Sequence, residues 1–121
     1  MESFDGFEEA MKDAFYHDGK GKVILETTIE GFEIGVAVMG NKELFAISLA
    51  SSNSFGLIRA MNCKGMTRVD MFVTPEDTII LNEVNTIPGF TDTSRYPTMM
   101  KEAGIPFPEL IDKLVALAME E

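Results

Sequence analysis

Cysteine and histidine are almost absent from this sequence: Cys63 and His17 are the sole examples of each. One cysteine cannot close an internal disulfide, so a reducing cytoplasm is the simplest setting. Cys63 then reads as a small apolar residue beside a turn. His17 stands between Tyr16 and Asp18 with no Cys or His at metal-ligand spacing, and reads as a surface residue. Basic residues are also scarce. Ten Lys and Arg face twenty Asp and Glu, for a formal net charge of −10, and the few cations form no run. Nucleic acid is therefore not expected as a partner. A phosphate-bearing ligand remains open only with a divalent cation between it and the protein. Long apolar runs are missing too. None approaches the roughly 20 residues that span a bilayer, and the acidic N-terminus is unlike a signal peptide, so no membrane partner is expected. Internal repeats and low-complexity linkers are likewise absent.

What is present suits one folded domain over residues 1–121, with 45% hydrophobic and 25% charged residues. Phe4, Phe7, Met11, Ala14 and Phe15 recur at helical spacing, and Asp5 with Glu8 has the form of a capping box; a helix over 5–16 follows. His17-Asp18-Gly19-Lys20-Gly21 breaks it. Residues 22–29 and 32–39 are rich in Val, Ile and Thr and read as strands. Gly40-Asn41 suits a tight turn into a third strand over 43–49. Ser51 to Ser54 offer helix N-caps, ahead of a short helix with Phe55, Ile58 and Met61 inside. Two further strands, 66–73 and 78–84, flank the turn sequence Thr74-Pro75-Glu76-Asp77. Pro97 to Ala103 reads as a short helix closed by Gly104. A last helix begins near Pro108 and is striped by Leu110, Ile111, Leu114, Val115 and Ala118. The fold class is α+β, a mostly antiparallel sheet covered by helices.

Chemistry concentrates on the fourth and fifth strands. Side chains two apart on a strand share a face, which groups Arg68 with Asp70 and Glu83 with Asn85. Pairing across Pro75 brings the two groups to one end of the sheet. Two carboxylates and an amide oxygen are hard donors suited to Mg²⁺ bridged by phosphates. An adjacent arginine can offset charge developing on a transferring phosphoryl group. On spacing alone, an amphipathic hairpin with a solvated polar face is the simpler reading.

A longer string changes the weighting. Arg68-Val-Asp-Met-Phe, followed by Asn82-Glu-Val-Asn-Thr-Ile-Pro-Gly-Phe-Thr-Asp-Thr-Ser-Arg-Tyr-Pro, resembles the end of D-alanine–D-alanine ligases, ATP-grasp enzymes of peptidoglycan synthesis. It resembles their vancomycin-resistance relatives especially. Upstream, Glu26-Thr-Thr-Ile-Glu-Gly-Phe-Glu33 is similar to the strand pair on which that family holds adenosine. The resemblance runs from Ser3 to about Ala118. It implies the C-terminal ATP-grasp portion of a ligase that uses ATP and two Mg²⁺ to join D-alanine to D-alanine, D-serine or D-lactate. It further implies that Glu26 meets the adenine amino group, the Ile29 backbone the adenine edge, and Glu33 the ribose hydroxyls. Asp70, Glu83 and Asn85 match the metal ligands, with Glu83 bridging. Arg68 matches the arginine facing the transferred phosphate, and the Gly89 amide part of an oxyanion site. Ser94 and the Arg95 amide match the groups that hold the carboxylate of the second substrate.

Departures from the family pattern are expected to matter as much. The domain that binds the first D-alanine, the lysine-bearing strand and the glycine-rich loop over the ATP phosphates have no match here. The lid loop with its lysine and tyrosine is reduced to the interval 50–54. Two function classes follow: a ligase portion inactive without the missing segments, or a non-catalytic, truncated or engineered α+β module that binds nucleotide or protein.

Overall fold

The structure, a computed structural model, describes residues 5–17, 21–47 and 51–120, and for 51–54 the backbone only. The chain divides into two compact units, Met1–Glu30 and Gly31–Glu121.

In the first unit, α1 spans Phe7–His17. Its start lies past the expected one, because Gly6, at φ +80°, precedes it and its carbonyl accepts from the Ala10 amide at 2.9 Å. Asp5 therefore stands one residue before the position that caps the helix. Phe7, Met11 and Ala14 form a half-buried stripe, while Phe15 is exposed; Phe4 and Asp18 to Lys20 lie outside the described residues. His17 is exposed as expected, 3.6 Å from Asp13. The strand expected over 22–29 does not form. Residues 21–30 have no regular structure, and Ile24 and Leu25 face outward. β-branched composition favours a pleated, half-buried surface only where a partner strand supplies one, and among the described residues none pairs with this segment.

The second unit holds β1 (Phe32–Gly40), β2 (Leu44–Ile47), α2 (Ser51–Ala60), β3 (Gly65–Val73), β4 (Ile79–Asn85), α3 (Arg95–Glu102) and α4 (Phe107–Ala118). The strands form one sheet in the order β2-β1-β3-β4, every pair antiparallel. Alternation along β1 and β3 sends side chains to two apolar layers. Val36, Val38, Val69 and Met71 pack with Ile58 of α2, and half-buried Cys63, just past the turn after α2, joins them. Ala37 and Met39 pack on the other face with Tyr96 and Met100 of α3 and Leu110 of α4. Tyr96 is fully buried, and its hydroxyl donates to the Val38 carbonyl at 2.9 Å.

The turns show why the elements end where they do. At Gly40, φ is +134° and a Cβ would stand 2.0 Å from the Glu43 carbonyl oxygen, so only glycine fits. Asn41 then ties the turn down. Its amide nitrogen donates to the Leu117 carbonyl at 2.8 Å and to Glu120 at 3.0 Å, and its oxygen accepts from the Gly65 amide at 3.0 Å. The β3–β4 hairpin closes as expected through Thr74, whose amide donates to the Thr78 carbonyl. Two expectations shift. Ser51 to Ser54 form the first turn of α2 rather than its cap, and that helix ends before Met61, which is exposed. On α4 the inward stripe is Leu110, Leu114 and Leu117, leaving Ile111 and Val115 outside. Among the described residues, no helix is long and apolar enough to cross a membrane.

Candidate active site

Register makes the polar face of the sheet. Gly35 and Ala37 of β1 lie beside Asp70 and Arg68 of β3, and on the far flank Glu83 lies opposite Asp70 and Asn85 opposite Arg68. The pairing then slips: Met71 meets Leu81, leaving Asn82 of β4 without a register partner. This bulge reverses the parity of β4. Leu81 lines an apolar hollow with Leu57 and Met71, whereas Glu83, two residues on, joins the acids and the arginine.

Arg68 organises the cluster. Its Nε donates to both Asp70 oxygens, at 3.0 and 2.8 Å, and its Nη2 lies 2.7 Å from Asp70 Oδ2 and 3.2 Å from Glu83 Oε1. Asp70 is 1% exposed, and a buried carboxylate requires such compensation. Glu83 is more than half exposed. The hydrogen bond that Arg68 donates to Asp70 is the main influence raising the guanidinium pKa above its already high ordinary value, with the charges of Asp70 and Glu83 adding to it against desolvation. Arg68 is therefore a fixed cation beside two acids. Gly35 makes room for them: a Cβ there would lie 3.3 Å from Asp70 Oδ1 and 3.7 Å from the Met99 sulfur.

The loop from Thr86 to Ser94 carries the second group. Asn85 Oδ1 accepts from the Ile87 amide at 3.1 Å, fixing the loop at its origin. Pro88 is buried and Phe90 stacks obliquely on Phe107, with ring centroids 5.4 Å apart. Between these anchors Gly89 abuts Ser94, whose Oγ accepts from the Thr91 amide at 3.1 Å. Arg95 opens α3, and its side chain reaches Glu33 of β1 at 3.4 Å. Gly35, Arg68, Thr93, Arg95, Thr98 and Met99 line a cleft of about 410 Å³. A larger hollow, about 590 Å³, lies by Asn41, Lys42, Glu43, Leu117 and Glu120, at the far end of β1. It contains none of the candidate residues, and the chemistry belongs to the smaller cleft.

Nine of the expected residues fall into three sets, and the tenth, Glu33 of β1, belongs to the second unit, unlike Glu26 and Ile29, and lies against Arg95. Arg68, Asp70 and Glu83 touch one another, with Asn85 beside them. Gly89, Ser94 and Arg95 meet in the loop and the first turn of α3. Glu26 and Ile29 stand on the irregular segment of the first unit, the former exposed and the latter half-buried, without the strand expected to present them. Gly35, Thr91, Thr93, Thr98 and Met99 were not foreseen. A glycine inside a strand is itself a sign of close approach, and that signal was available for Gly35.

Magnesium can be tested against this donor set. Asp70, Glu83 and Asn85 offer two carboxylates and an amide oxygen on adjacent strands, hard donors that fit the ion. Among the described residues there is no site built of three or more His, Cys, Asp or Glu side chains. The fit therefore depends on the amide and on oxygens from a bound ligand.

An antiparallel sheet with paired acids and an arginine on one face, and helices over both, defines an α+β domain like the C-terminal ATP-grasp domain of D-alanine ligases. Residues 50–116 match the family described as D-ala D-ala ligase C-terminus, and the chain belongs to that family. The vancomycin/teicoplanin A-type resistance protein VanA of Enterococcus faecium is 32% identical across 99% of this chain and 46% of its own length. The solved D-alanine–D-alanine ligase of Coxiella burnetii superposes with a TM-score of 0.77 at 34% identity, covering 98% of this chain and 40% of that one. The VanG D-Ala:D-Ser ligase of Enterococcus faecalis gives 0.76 at 36%, covering 93% and 43%. The chain spans less than half the length of each. The alignment with VanA runs over 161 positions, more than the 121 residues here, so VanA carries intervening residues with no counterpart in this chain.

Proposed function

We propose that this chain is the C-terminal ATP-grasp portion of an ATP-dependent ligase that joins D-alanine to a second D-amino or D-hydroxy acid for peptidoglycan, and that it is inactive by itself. The observation that carries the reading is the Arg68–Asp70–Glu83 cluster, held on the face of the sheet beside the cleft. In the reaction, ATP phosphorylates the carboxylate of D-alanine and the second substrate then displaces the phosphate.

Asp70, Glu83 and Asn85 would hold Mg²⁺, which supplies positive charge against the phosphates when bound. Arg68 adds a cation that needs no proton uptake at any working pH and faces the same cleft, where it can stabilise charge on a transferring phosphoryl group. Sharing its guanidinium with Glu83 as well as Asp70 keeps it oriented before substrate arrives. The Gly89 amide would meet a developing oxyanion, and Ser94 with the Arg95 amide the carboxylate of the second substrate. Glu26 and Ile29 would receive the adenine, and Glu33 the ribose. Since Glu33 is paired with Arg95, ribose binding would exchange one partner for another.

Incompleteness has its own support. The interval 50–54 would correspond to the family's lid loop, and the residues that VanA carries without a counterpart here agree with a deletion within the chain. A non-catalytic module is the second reading, favoured by the same observation: the Arg68–Asp70 pair can serve as a structural bond alone. Amide chemical-shift mapping tests the proposed nucleotide site. Addition of Mg·ATP should perturb 26–33 together with 83–89. Shifts confined to the Asn41 hollow, or none at millimolar nucleotide, would contradict the proposal.

A further inference from the structure

Ser94 occupies the N-cap position of α3, with φ −69° and ψ 153°, yet its side chain makes no capping bond. A serine there ordinarily turns its oxygen onto the free amides of the first helical turn. Ser94 turns back into the loop instead. Its Oγ accepts from the Thr91 amide at 3.1 Å and lies 2.8 Å from Thr91 Oγ1, which in turn is 3.4 Å from Thr93 Oγ1. The glycine at 89 leaves the space for this, since a Cβ would stand 3.2 Å from the serine oxygen.

A hydroxyl has two lone pairs and one proton to place. The Thr91 amide fills one lone pair of Ser94. Were Ser94 to give its proton to Thr91, only a lone pair would remain for a ligand, and a carboxylate would be repelled. If Thr91 gives its proton to Ser94, both serine lone pairs are filled and the serine proton alone faces outward. We infer that Thr91 is a positioning residue that sets Ser94 as a donor toward an anionic acceptor, the carboxylate of the second substrate; this rests on the reading of Ser94 proposed above. Thr93 can donate to Thr91 in the same direction, and each bond in such a chain polarises the next. Ser94 is half-buried and Thr91 exposed, so the free end of the chain is open to a ligand.

The test is an amide chemical-shift titration of the whole chain with D-alanine and with D-alaninamide, which lacks the carboxylate. The wild type should bind D-alanine more tightly than the amide, and Ser94→Ala should abolish that preference. Thr91→Val, which keeps the backbone amide and the shape, should weaken D-alanine binding on the order of three- to tenfold, the worth of one hydrogen bond. It should also narrow the preference over the amide, and Thr91→Ser should restore both. A general loosening of the loop would weaken the two ligands alike and leave the preference unchanged. Weakening by Ser94→Ala with wild-type binding and preference in Thr91→Val would overturn this inference and spare the reading of Ser94. No saturable shift in the wild type, or equal binding in Ser94→Ala, would overturn that reading and the inference with it.

Discussion

Asp70 and Arg68 explain each other's position: the carboxylate can be buried because a guanidinium covers both of its oxygens, and the guanidinium is oriented because the carboxylate is fixed. Removing the arginine leaves an uncompensated buried charge. Arg68→Ala should therefore cost about 3–5 kcal/mol of stability, whereas Glu83→Gln, at an exposed acid, should cost under about 1 kcal/mol. Urea unfolding of the two variants checks the contrast, and equal losses would refute it. Tyr96 supplies a pH effect at the same scale. Burial pushes its phenol well above the ordinary value, so the folded chain favours the protonated form. That contribution is complete below the unfolded pKa of about 10 and is lost as pH rises above it. Alkaline titration of stability should show a steeper decline in the wild type than in Tyr96→Phe. The variant should also lose about 1 kcal/mol at neutral pH with its hydrogen bond to Val38.

Among the elements, legibility followed how local the causes were. β1, β3, β4 and the two C-terminal helices were readable because alternation, Pro75, Pro108 and Gly104 mark them within a few residues. The segment 22–29 was misread, since its β-branched residues describe a surface that only a partner strand can complete. Period two groups Arg68 with Asp70 and Glu83 with Asn85, and the hairpin pairing brings the two groups together. The bulge at Asn82 was not visible in the spacing, and neither was the contact of Arg95 with Glu33, which joins positions 62 residues apart. Asn41 was read as a turn residue, but its larger part is to join the β1–β2 turn to α4 and β3 through three hydrogen bonds. Asn41→Ala should lower stability by about 1–3 kcal/mol, because it leaves partly buried backbone groups unpaired. A urea midpoint indistinguishable from wild type would show that water replaces those bonds without loss.

For the molecule as a whole, charge decides what it can hold. At a net charge of −10, a triphosphate is repelled unless cations intervene, and Arg68 is a cation placed between the candidate metal-binding acids Asp70 and Glu83. Turnover needs more than this. Much of the rate in phosphoryl transfer comes from preorganised charge in a water-excluding site and from holding both reactants together. A phosphate-release assay on the chain with D-alanine and Mg·ATP should stay at background; D-alanine-dependent release lost in Glu83→Gln would overturn the proposed incompleteness. Calorimetric titration of the chain with ATP, in Mg²⁺ and again in excess EDTA, is the decisive test of metal-dependent nucleotide binding at this cluster. Saturable binding in Mg²⁺ that weakens in Glu83→Gln and vanishes in EDTA is the predicted result, and binding that persists unchanged in EDTA would contradict it.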